Sequence, residues 1–318
     1  MGANARSRQM VSIVMPLYNK KQYVREAIVS VLRQTHMDFE LLIVNDGSSD
    51  GSLAIASGFD DPRIRIFDQV NQGVSMARNR GVYESASDLV AFIDADDVWY
   101  EHHLEALLEA ARRYAAAGMF ANAFSVQAST RSIGFSPNFA LCTNYPCSQL
   151  SGGPMVWTSA AMLRRDVLSA TGGFPAGASH GEDLVVWLRA SLLAPVVFSD
   201  YVGAYYRQTN NGLTARLVEA PDVLMRDIDR LLEAPGVASD TASCLRELRS
   251  NMALAHAITA YGHGREDIAL DFIRHAAGTI RFKRKAAVLR YAAFLPSPLL
   301  AGIVRLYASL RRTSRPSR

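Results

Sequence analysis

The stretch that decides the fold is Leu89-Val-Ala-Phe-Ile-Asp-Ala-Asp-Asp97. Its five apolar residues predict a buried strand, and three carboxylates follow at once. Because side chains alternate along an extended segment, Asp94 and Asp96 face the same side and can address one ligand. Such carboxylates repel one another unless a cation lies among them, and they suit Mg²⁺ or Mn²⁺. The alternative is that Asp96 or Asp97 caps a helix ahead of Glu101. Helix capping accounts well for the presence of one acid here, but poorly for the presence of three.

Strand and helix patterns alternate through the first hundred residues. Strands are predicted at 11–15, 40–44, 63–67 and 89–93, and helices at 21–34, 49–58, 74–85 and 101–117. This alternation, with short connections, predicts an α/β fold with a mostly parallel sheet covered by helices on both faces. Ligands bind outside the carboxyl ends of the strands in such sheets.

Beyond residue 117 the pattern changes. Strands are predicted at 119–129 and 135–142, a helix at 183–193, and two strand-like pieces within 196–207. From about residue 216 onward the pattern is helical. We therefore expect a flexible amino terminus over 1–9, an α/β domain over 10–215, and a helical region with a basic tail over 216–318.

The charge of the chain is concentrated at its carboxyl end. The net charge is +4, but the residues from Arg281 onward include ten Arg or Lys and no acid. Subtracting ten from +4 leaves −6 for residues 1–280. A basic tail favours an anionic partner: membrane lipid, nucleic acid or another protein. The uncharged run Tyr291 to Val304 is shorter than the roughly 20 residues of a spanning helix, so it could lie in a membrane interface or pack on the core.

The amino-terminal ten residues lack the apolar core of a secretory signal. Of the three cysteines, Cys142 and Cys147 could pair, but reduced structural thiols, Cys244 included, are the better interpretation. No Cys/His set has zinc spacing. We therefore expect a cytoplasmic protein.

Polar motifs also follow the first two predicted strands. Pro16 ends the first strand, and the ring of Tyr18, next to Asn19, could stack on a base at the top of the sheet. Asp46, in the Asn45-to-Asp50 segment, reads alone as a turn residue. At a strand end of the same sheet, its carboxylate could instead accept a hydrogen bond from a uracil imide or a guanine edge.

Three later motifs have both a structural and a functional interpretation. Gly73 lets the backbone approach a ligand, and Arg78 could reach a phosphate or be an exposed helical residue. Glu182 and Asp183 open a helix, where acids are favoured by the helix dipole, but an acid facing a cleft would be a general base. Arg207 offers a cation suited to a diphosphate, or lies in a polar loop.

Together and in this order, these motifs resemble a family 2 glycosyltransferase of the GT-A fold. The resemblance rests on residues 11–19, 40–50, 71–81, 92–97 and 181–189, and it covers about 10–210. Each motif alone is weak, whereas five in order at these spacings are specific. The resemblance implies a donor half over 10–117 and an acceptor half over 118–215.

The resemblance also implies roles for individual residues. Asp46 would recognise the base, usually uracil; Asp94 would contact the ribose or the metal, and Asp96 would bind Mn²⁺ or Mg²⁺. Asp183 would deprotonate the acceptor hydroxyl, with Glu182 as its neighbour. The nucleotide-sugar site would contain Pro16, Tyr18, Asn19, Asp46, Gly73, Arg78, Asp94 and Arg207.

The implied reaction is metal-dependent transfer of a sugar, with inversion, from a UDP-sugar to an acceptor hydroxyl. The acceptor would be a saccharide or lipid-linked intermediate of surface polysaccharide or glycolipid synthesis. The basic tail would contact anionic lipid at the inner face of the membrane, and we expect no nucleic-acid partner. The usual proline after the acids is replaced here by Val98-Trp-Tyr-Glu101, and residues 118–180 match no motif, so the acceptor stays open.

Two alternatives belong to other functional classes. A nucleotidyltransferase would need a Gly-rich, basic loop after the first strand, where this chain has Pro16-Leu-Tyr-Asn-Lys-Lys21. A non-catalytic sugar-nucleotide-binding protein has no need of intact acids at both 94–97 and 182–183. A dehydrogenase is disfavoured because no Gly-x-Gly-x-x-Gly follows the first strand.

Overall fold

The computed structural model describes residues 9–128, 134–178, 180–208 and 221–292. The chain divides into two compact units, one comprising Met1–Ser148 and Gly153–Gly212, the other Gln149–Gly152 and Leu213–Arg318. The strands belong to the first unit, and the long carboxyl-terminal helices belong to the second.

Nine strands lie in the described residues: β1 Val11–Leu17, β2 Phe39–Asp46, β3 Ile64–Gln69, β4 Leu89–Phe92, β5 Val98–Trp99, β6 Met119–Ser125, β7 Phe139–Cys142, β8 Ala161–Arg164 and β9 Val196–Tyr205. The helices up to α7 are α1 Val24–Leu32, α2 Ser52–Ser57, α3 Val74–Glu84, α4 His103–Arg113, α5 Tyr145–Leu150, α6 Arg165–Ala170 and α7 Glu182–Leu193, with a short 3-10 helix at Thr158–Ala160. The remaining helices are α8 Val223–Glu233, α9 Ser239–Gly262, α10 Glu266–His275 and α11 Lys283–Ala292.

The sheet order is β3-β2-β1-β4-β8-β6-β9-β5, and β7 pairs with β9. The four strands predicted in the first hundred residues are parallel neighbours, as expected. Beyond β4 the sheet is mixed, because β8 runs antiparallel to both β4 and β6. The carboxyl ends of β1, β2 and β4 therefore meet at one edge of the sheet.

Both faces of the parallel strands β1, β2 and β4 are buried, which explains their continuous apolar runs. Ile13 and Met15 of β1 join the core cluster that contains α1 and α4, whereas Val14 faces the opposite side in the cluster that contains Trp187 of α7. Gly81 allows α3 to pack tightly there, since a Cβ atom at residue 81 would collide with the side chain of Val14. The sheet edge is thus held rigidly from both sides.

Two local predictions need correction. Residues 196–205 form one ten-residue strand, not two pieces, because a register shift against β6 near Asn122 and Ala123 is absorbed without ending β9. Asp97 does not cap a helix: α4 begins at His103, and the residue before it, His102, occupies the cap position. The α/β fold class itself is confirmed.

The second unit is built around helices α8 to α11. Asp222 caps α8 by accepting a hydrogen bond of 2.8 Å from the Met225 N–H. Buried Leu254, Tyr261 and Phe272 belong to one apolar cluster. None of the helices in the described part of the chain is long and apolar enough to span a bilayer.

Two sequence predictions concern residues that are only partly described. The uncharged run from 291 to 304 and the basic residues from 305 lie outside the described residues, apart from 291 and 292. Cys142 has a free thiol, whereas Cys147 and Cys244 each take part in a disulfide. The expectation that all three thiols are reduced is therefore wrong for two of them.

Candidate active site

The acid tetrad forms a tight turn directly after β4. The Asp97 N–H donates a hydrogen bond of 3.0 Å to the Asp94 carbonyl. Ser159, in the 3-10 helix, accepts from the Asp94 N–H at 3.0 Å and donates to the Asp97 carboxylate at 2.6 Å. This turn holds the carboxylates of Asp94 and Asp96 at the sheet edge, where they are only partly exposed.

Arg78 of α3 bridges two acids from distant parts of the chain. Its Nη2 atom lies 2.8 Å from the Asp94 carboxylate, and its Nη1 atom lies 2.6 Å from the Glu182 carboxylate. Burial alone would lower the pKa of Arg78, but the charges of Asp94 and Glu182 outweigh it and raise that pKa above its ordinary value. The guanidinium is therefore a permanent cation that ties α3, the β4 end and α7 together.

Asp183, the second residue of α7, is held by a different partner. Thr158 donates a hydrogen bond of 2.6 Å from its hydroxyl to the Asp183 carboxylate. Gly181 precedes α7 with φ +74°, a left-handed conformation that favours glycine and starts the helix abruptly. Glu182 is buried, whereas Asp183 is only partly buried. Asp183 is thus the acid of this pair that solvent can reach.

Asp96 contacts Lys20, a residue that no sequence motif identified. The Lys20 ammonium bonds the Asp96 carboxylate, and the Lys20 N–H donates to the Ser52 hydroxyl at 2.8 Å. Within the described ranges, no group of three or more His, Cys, Asp or Glu side chains is arranged to hold a metal ion. A cation is nevertheless present among the acids, as their mutual repulsion requires.

Asp97 lies behind the other two acids and is buried. Its carboxylate accepts from Ser159, from the Arg207 N–H at 3.0 Å and from the Trp157 indole N–H at 3.4 Å. Burial, reinforced by the charge of Asp94, raises the pKa of Asp97 to about 7. Asp97 is therefore an internal anchor for the chain around the acids.

Arg207 reaches the acid turn with its side chain as well as its backbone. Its Nε atom donates to the Asp96 carbonyl at 3.0 Å, and its Nη2 atom lies 2.6 Å from the Glu26 carboxylate of α1. The guanidinium also lies over the ring of Tyr23, 5.1 Å from its centroid. A cation next to the acid turn is thus present where the sequence led us to expect one.

Asp46, at the end of β2, is buried, and its carboxylate already accepts hydrogen bonds from neighbouring residues. It accepts from the Gln69 side chain at 2.8 Å, from the Gln72 N–H at 2.9 Å and from the Gly73 N–H at 2.8 Å. Gly73 has φ +88°, which lets its N–H turn toward this carboxylate. Asp46 therefore organises the loop before α3, and a ligand would have to use its remaining lone pair.

The segment after β1 presents one exposed ring. Tyr18 is 49% exposed, and Pro16 occupies β1 beside it. Asn19 has φ +51°, a left-handed conformation that Asn tolerates. Its side chain accepts from the Ser49 N–H at 2.9 Å, which joins the ends of β1 and β2. The ring of Tyr18 is thus exposed at the carboxyl end of β1.

Four contacts of the acid centre were missed from the sequence: Lys20, Trp157, Thr158 and Ser159. The last three lie in residues 118–180, which matched no motif. Of these four residues, only Lys20 could have been identified from the sequence, because it is a cation two residues after Tyr18. Thr158 and Ser159 reach the acids through pairing between distant segments, which a local pattern does not reveal.

Carboxylates at the carboxyl edge of a mixed sheet, faced by a further acid at the start of a helix, are the arrangement of a GT-A transferase. The chain belongs to glycosyl transferase family 2: the family described as "Glycosyl transferase family 2" matches residues 12–172, half of the chain. This membership favours sugar transfer over the nucleotidyltransferase alternative.

Individual relatives agree with this assignment. An "Uncharacterized glycosyltransferase" of Rickettsia felis is 40% identical over 113 residues, which are 34% of this chain and 19% of that protein. The chain thus spans less than a fifth of that relative.

Two solved structures share the fold at low identity. Staphylococcus aureus TarS 1-349 in complex with UDP-GlcNAc has a TM-score of 0.69 at 16% identity, covering 98% of this chain and 93% of that one. The mannosyltransferase PcManGT of Pyrobaculum calidifontis, in complex with GDP-Man and Mn²⁺, has a TM-score of 0.58 at 17% identity, with 96% and 87% coverage.

Proposed function

We propose that this chain is a metal-dependent inverting glycosyltransferase that moves a sugar from a UDP-sugar to an acceptor hydroxyl. The observation that carries the proposal is the bridge that Arg78 makes from Asp94, in the acid turn, to Glu182, the residue next to Asp183. Family membership supports sugar transfer. The TarS complex with UDP-GlcNAc supports a uridine donor.

Asp183 acts as the base of the reaction. It takes the proton of the acceptor hydroxyl, and the hydroxyl oxygen forms a bond to the anomeric carbon. The bond from that carbon to the diphosphate oxygen breaks at the same time, and its electron pair leaves with the nucleoside diphosphate. Attack opposite to the leaving group inverts the configuration, so no covalent sugar–enzyme intermediate forms.

Asp96, with Asp94, would hold Mn²⁺ or Mg²⁺. Their hard oxygen atoms fit such a cation, and Mg²⁺ is commonly bound by one or two carboxylates with substrate phosphates and water completing its shell. Asp94 and Asp96, with no third His, Cys, Asp or Glu arranged around them in the described residues, match that pattern. When bound, the metal supplies positive charge that stabilises the departing diphosphate.

The nucleotide lies along the carboxyl ends of β1 and β2. Tyr18 stacks on the base, while Asp46 accepts from the base edge and fixes the loop that carries Gly73. Pro16 and Asn19 shape the segment that carries Tyr18. Lys20 and Arg207 are the cations next to the acid turn, and they bind the diphosphate oxygens.

The test is release of nucleoside diphosphate from a panel of UDP- and GDP-sugars, with Mn²⁺ and with EDTA. We expect Mn²⁺-dependent release from a UDP-sugar, reduced about 10²- to 10⁴-fold in Asp183→Asn with unchanged UDP affinity. Asp60→Asn, an exposed acid outside the site, is the matched control. An unchanged rate in Asp183→Asn would remove Asp183 as the base, and metal-independent UDP binding would contradict the role of Asp96.

We further propose that the enzyme works on a lipid-linked or saccharide acceptor of surface polysaccharide or glycolipid synthesis, at the inner face of the membrane. Arg284 of α11 is exposed one turn from Val288, which is 64% exposed, and Lys283 and Arg290 are exposed as well, while Leu289 is buried in the helical cluster. A helix surface with cations and an apolar residue suits anionic lipid.

Sedimentation with phosphatidylserine vesicles tests this surface. We expect the protein to sediment with anionic but not with phosphatidylcholine vesicles, and Lys283→Glu/Arg284→Glu to reduce the bound fraction. Arg112→Glu/Arg113→Glu, an exposed basic pair on α4, is the control for net charge. Equal losses in both double variants would contradict a specific role of α11.

A further inference from the structure

Two aromatic rings stand beside the acid centre and are not used by the nucleotide site proposed above. The ring centroids of Trp157 and Tyr206 are 4.1 Å apart, with planes inclined at 51°. Phe124 lies against Trp157, with a centroid distance of 5.3 Å. Trp157 and Tyr206 are each only partly buried. They form a preorganised aromatic surface that solvent reaches.

Contacts to the acids fix the position of this pair. Trp157 bonds Asp97 through its indole N–H, and the next residue, Thr158, bonds Asp183. The residue after Tyr206, Arg207, donates its N–H to the Asp97 carboxylate at 3.0 Å, which holds Tyr206 next to the acid turn. A molecule on these rings would therefore lie next to the proposed base.

The surroundings of the rings select the chemistry of an occupant. A pyranose ring has C–H groups on its faces, which pack favourably on an aromatic ring, and hydroxyls at its edge, which bond carboxylates. A lipid chain has no donor that could bond the nearby carboxylates. Binding sites that combine aromatic walls with a few fixed polar groups are typical of small polar ligands.

We propose that Trp157 and Tyr206 form the acceptor subsite, on which a pyranose ring lies with one hydroxyl directed to Asp183. This inference rests on the proposed function and adds to it a saccharide acceptor and the two residues that bind it. It assigns a role within residues 118–215, the half of the domain for which the sequence left the acceptor open.

Tryptophan fluorescence tests the subsite directly, because Trp99 and Trp187 are 3% and 0% exposed and Trp157 is the accessible tryptophan. Acrylamide quenching is measured in the full chain with UDP and Mn²⁺. Methyl glycosides of glucose, galactose, mannose and N-acetylglucosamine are added in turn, and glycerol serves as the control polyol. We expect at least one glycoside to reduce quenching, and this change to vanish in Trp157→Phe.

Variants of Tyr206 provide an independent measurement should changes at Trp157 disturb folding. We expect Tyr206→Ala to weaken the protecting glycoside about tenfold, and Tyr206→Phe, which keeps the ring, to weaken it less. Tyr83→Ala, at an 84% exposed tyrosine of α3, is the matched control. In transfer to that glycoside, Tyr206→Ala should raise the acceptor KM more than the donor KM.

The outcomes separate this inference from the proposed function. If UDP binds with Mn²⁺ but none of the four glycosides protects Trp157, the subsite is wrong and the donor site stands. The subsite is also wrong if protection is undiminished in Tyr206→Ala. If a glycoside protects Trp157 while UDP fails to bind, the subsite stands and the UDP-sugar transferase is wrong.

Discussion

The Nη1 atom of Arg78 lies 2.6 Å from the carboxylate of Glu182, although 104 residues separate them in the sequence. The same guanidinium bonds Asp94, so one buried cation joins an acid of the proposed metal site to the neighbour of the proposed base. A planar guanidinium with donors in fixed directions suits this bridge, whereas a lysine ammonium does not. Arg78 therefore aligns the two halves of the site and is not exposed to solvent.

Replacement of Arg78 should destabilise the protein strongly. Arg78→Met leaves the buried Glu182 carboxylate and the partly exposed Asp94 carboxylate without their cation, and we expect the free energy of unfolding to fall by about 3–5 kcal/mol. Urea denaturation measures this loss. In Arg78→Met/Glu182→Gln one of the uncompensated charges is gone, so the double variant should be more stable than the sum of the single changes predicts. Additive losses would contradict a direct coupling.

Loss of the Thr158 hydroxyl should slow transfer without changing nucleotide binding. Thr158→Val keeps the shape of the side chain but removes the 2.6 Å hydrogen bond that orients Asp183. Because a hydrogen bond to a charged group is worth about 1.5–3 kcal/mol, we expect the rate to fall about tenfold or more. Thr158→Ser should restore most of it. A loss in Thr158→Ser but not in Thr158→Val would indicate that the methyl group, not the hydroxyl, matters.

Removal of the Lys20 ammonium should strengthen metal binding in the absence of nucleotide. Lys20 pairs with Asp96, so a metal ion must displace it. In Lys20→Met we expect Mn²⁺ to bind about three- to tenfold more tightly, in keeping with roughly 1 kcal/mol for a partly exposed ion pair. Titration followed by electron paramagnetic resonance measures this, with Lys21→Met as the matched control. Weaker Mn²⁺ binding in Lys20→Met would contradict the competition.

Acid should destabilise the protein through His103. This residue is fully buried, stacked on Trp99 at 4.1 Å, and burial lowers its pKa to about 3. The unfolded chain takes up a proton near pH 6.5 and the folded chain does not, so stability falls as the pH drops below about 6.5.

His103→Phe keeps a ring against Trp99 and cannot ionise. We expect its stability to fall less between about pH 7 and pH 5 than that of the wild type, by up to roughly 1.4 kcal/mol per pH unit below 6.5. The urea midpoints of the wild type and of His103→Phe, measured across this pH range, test this expectation. Parallel pH profiles would mean that other groups govern the acid response.

The parallel half of the sheet was predictable because β1, β2 and β4 are continuous buried apolar runs and α1 and α4 each have an apolar face. The acids next to β4 and α7 were identified for the same reason, since they directly follow the strand or begin the helix. The strand β8 was not predicted, because its four residues show no periodic pattern of apolar and polar side chains. Its antiparallel position also depends on pairing with β4 and β6. Lys20 and Thr158 were missed because their partners lie 76 and 25 residues away.

The consecutive residues Trp157, Thr158 and Ser159 contact two carboxylates of the acid centre: Trp157 and Ser159 bond Asp97, and Thr158 bonds Asp183. Thr158 and Ser159 lie in a 3-10 helix, which has three residues per turn, so a shift of one residue would rotate their side chains by about 120°. A single-residue deletion just before Trp157 would therefore break all three contacts at once, whereas a substitution breaks one. This segment should tolerate changes of side chain far better than changes of length.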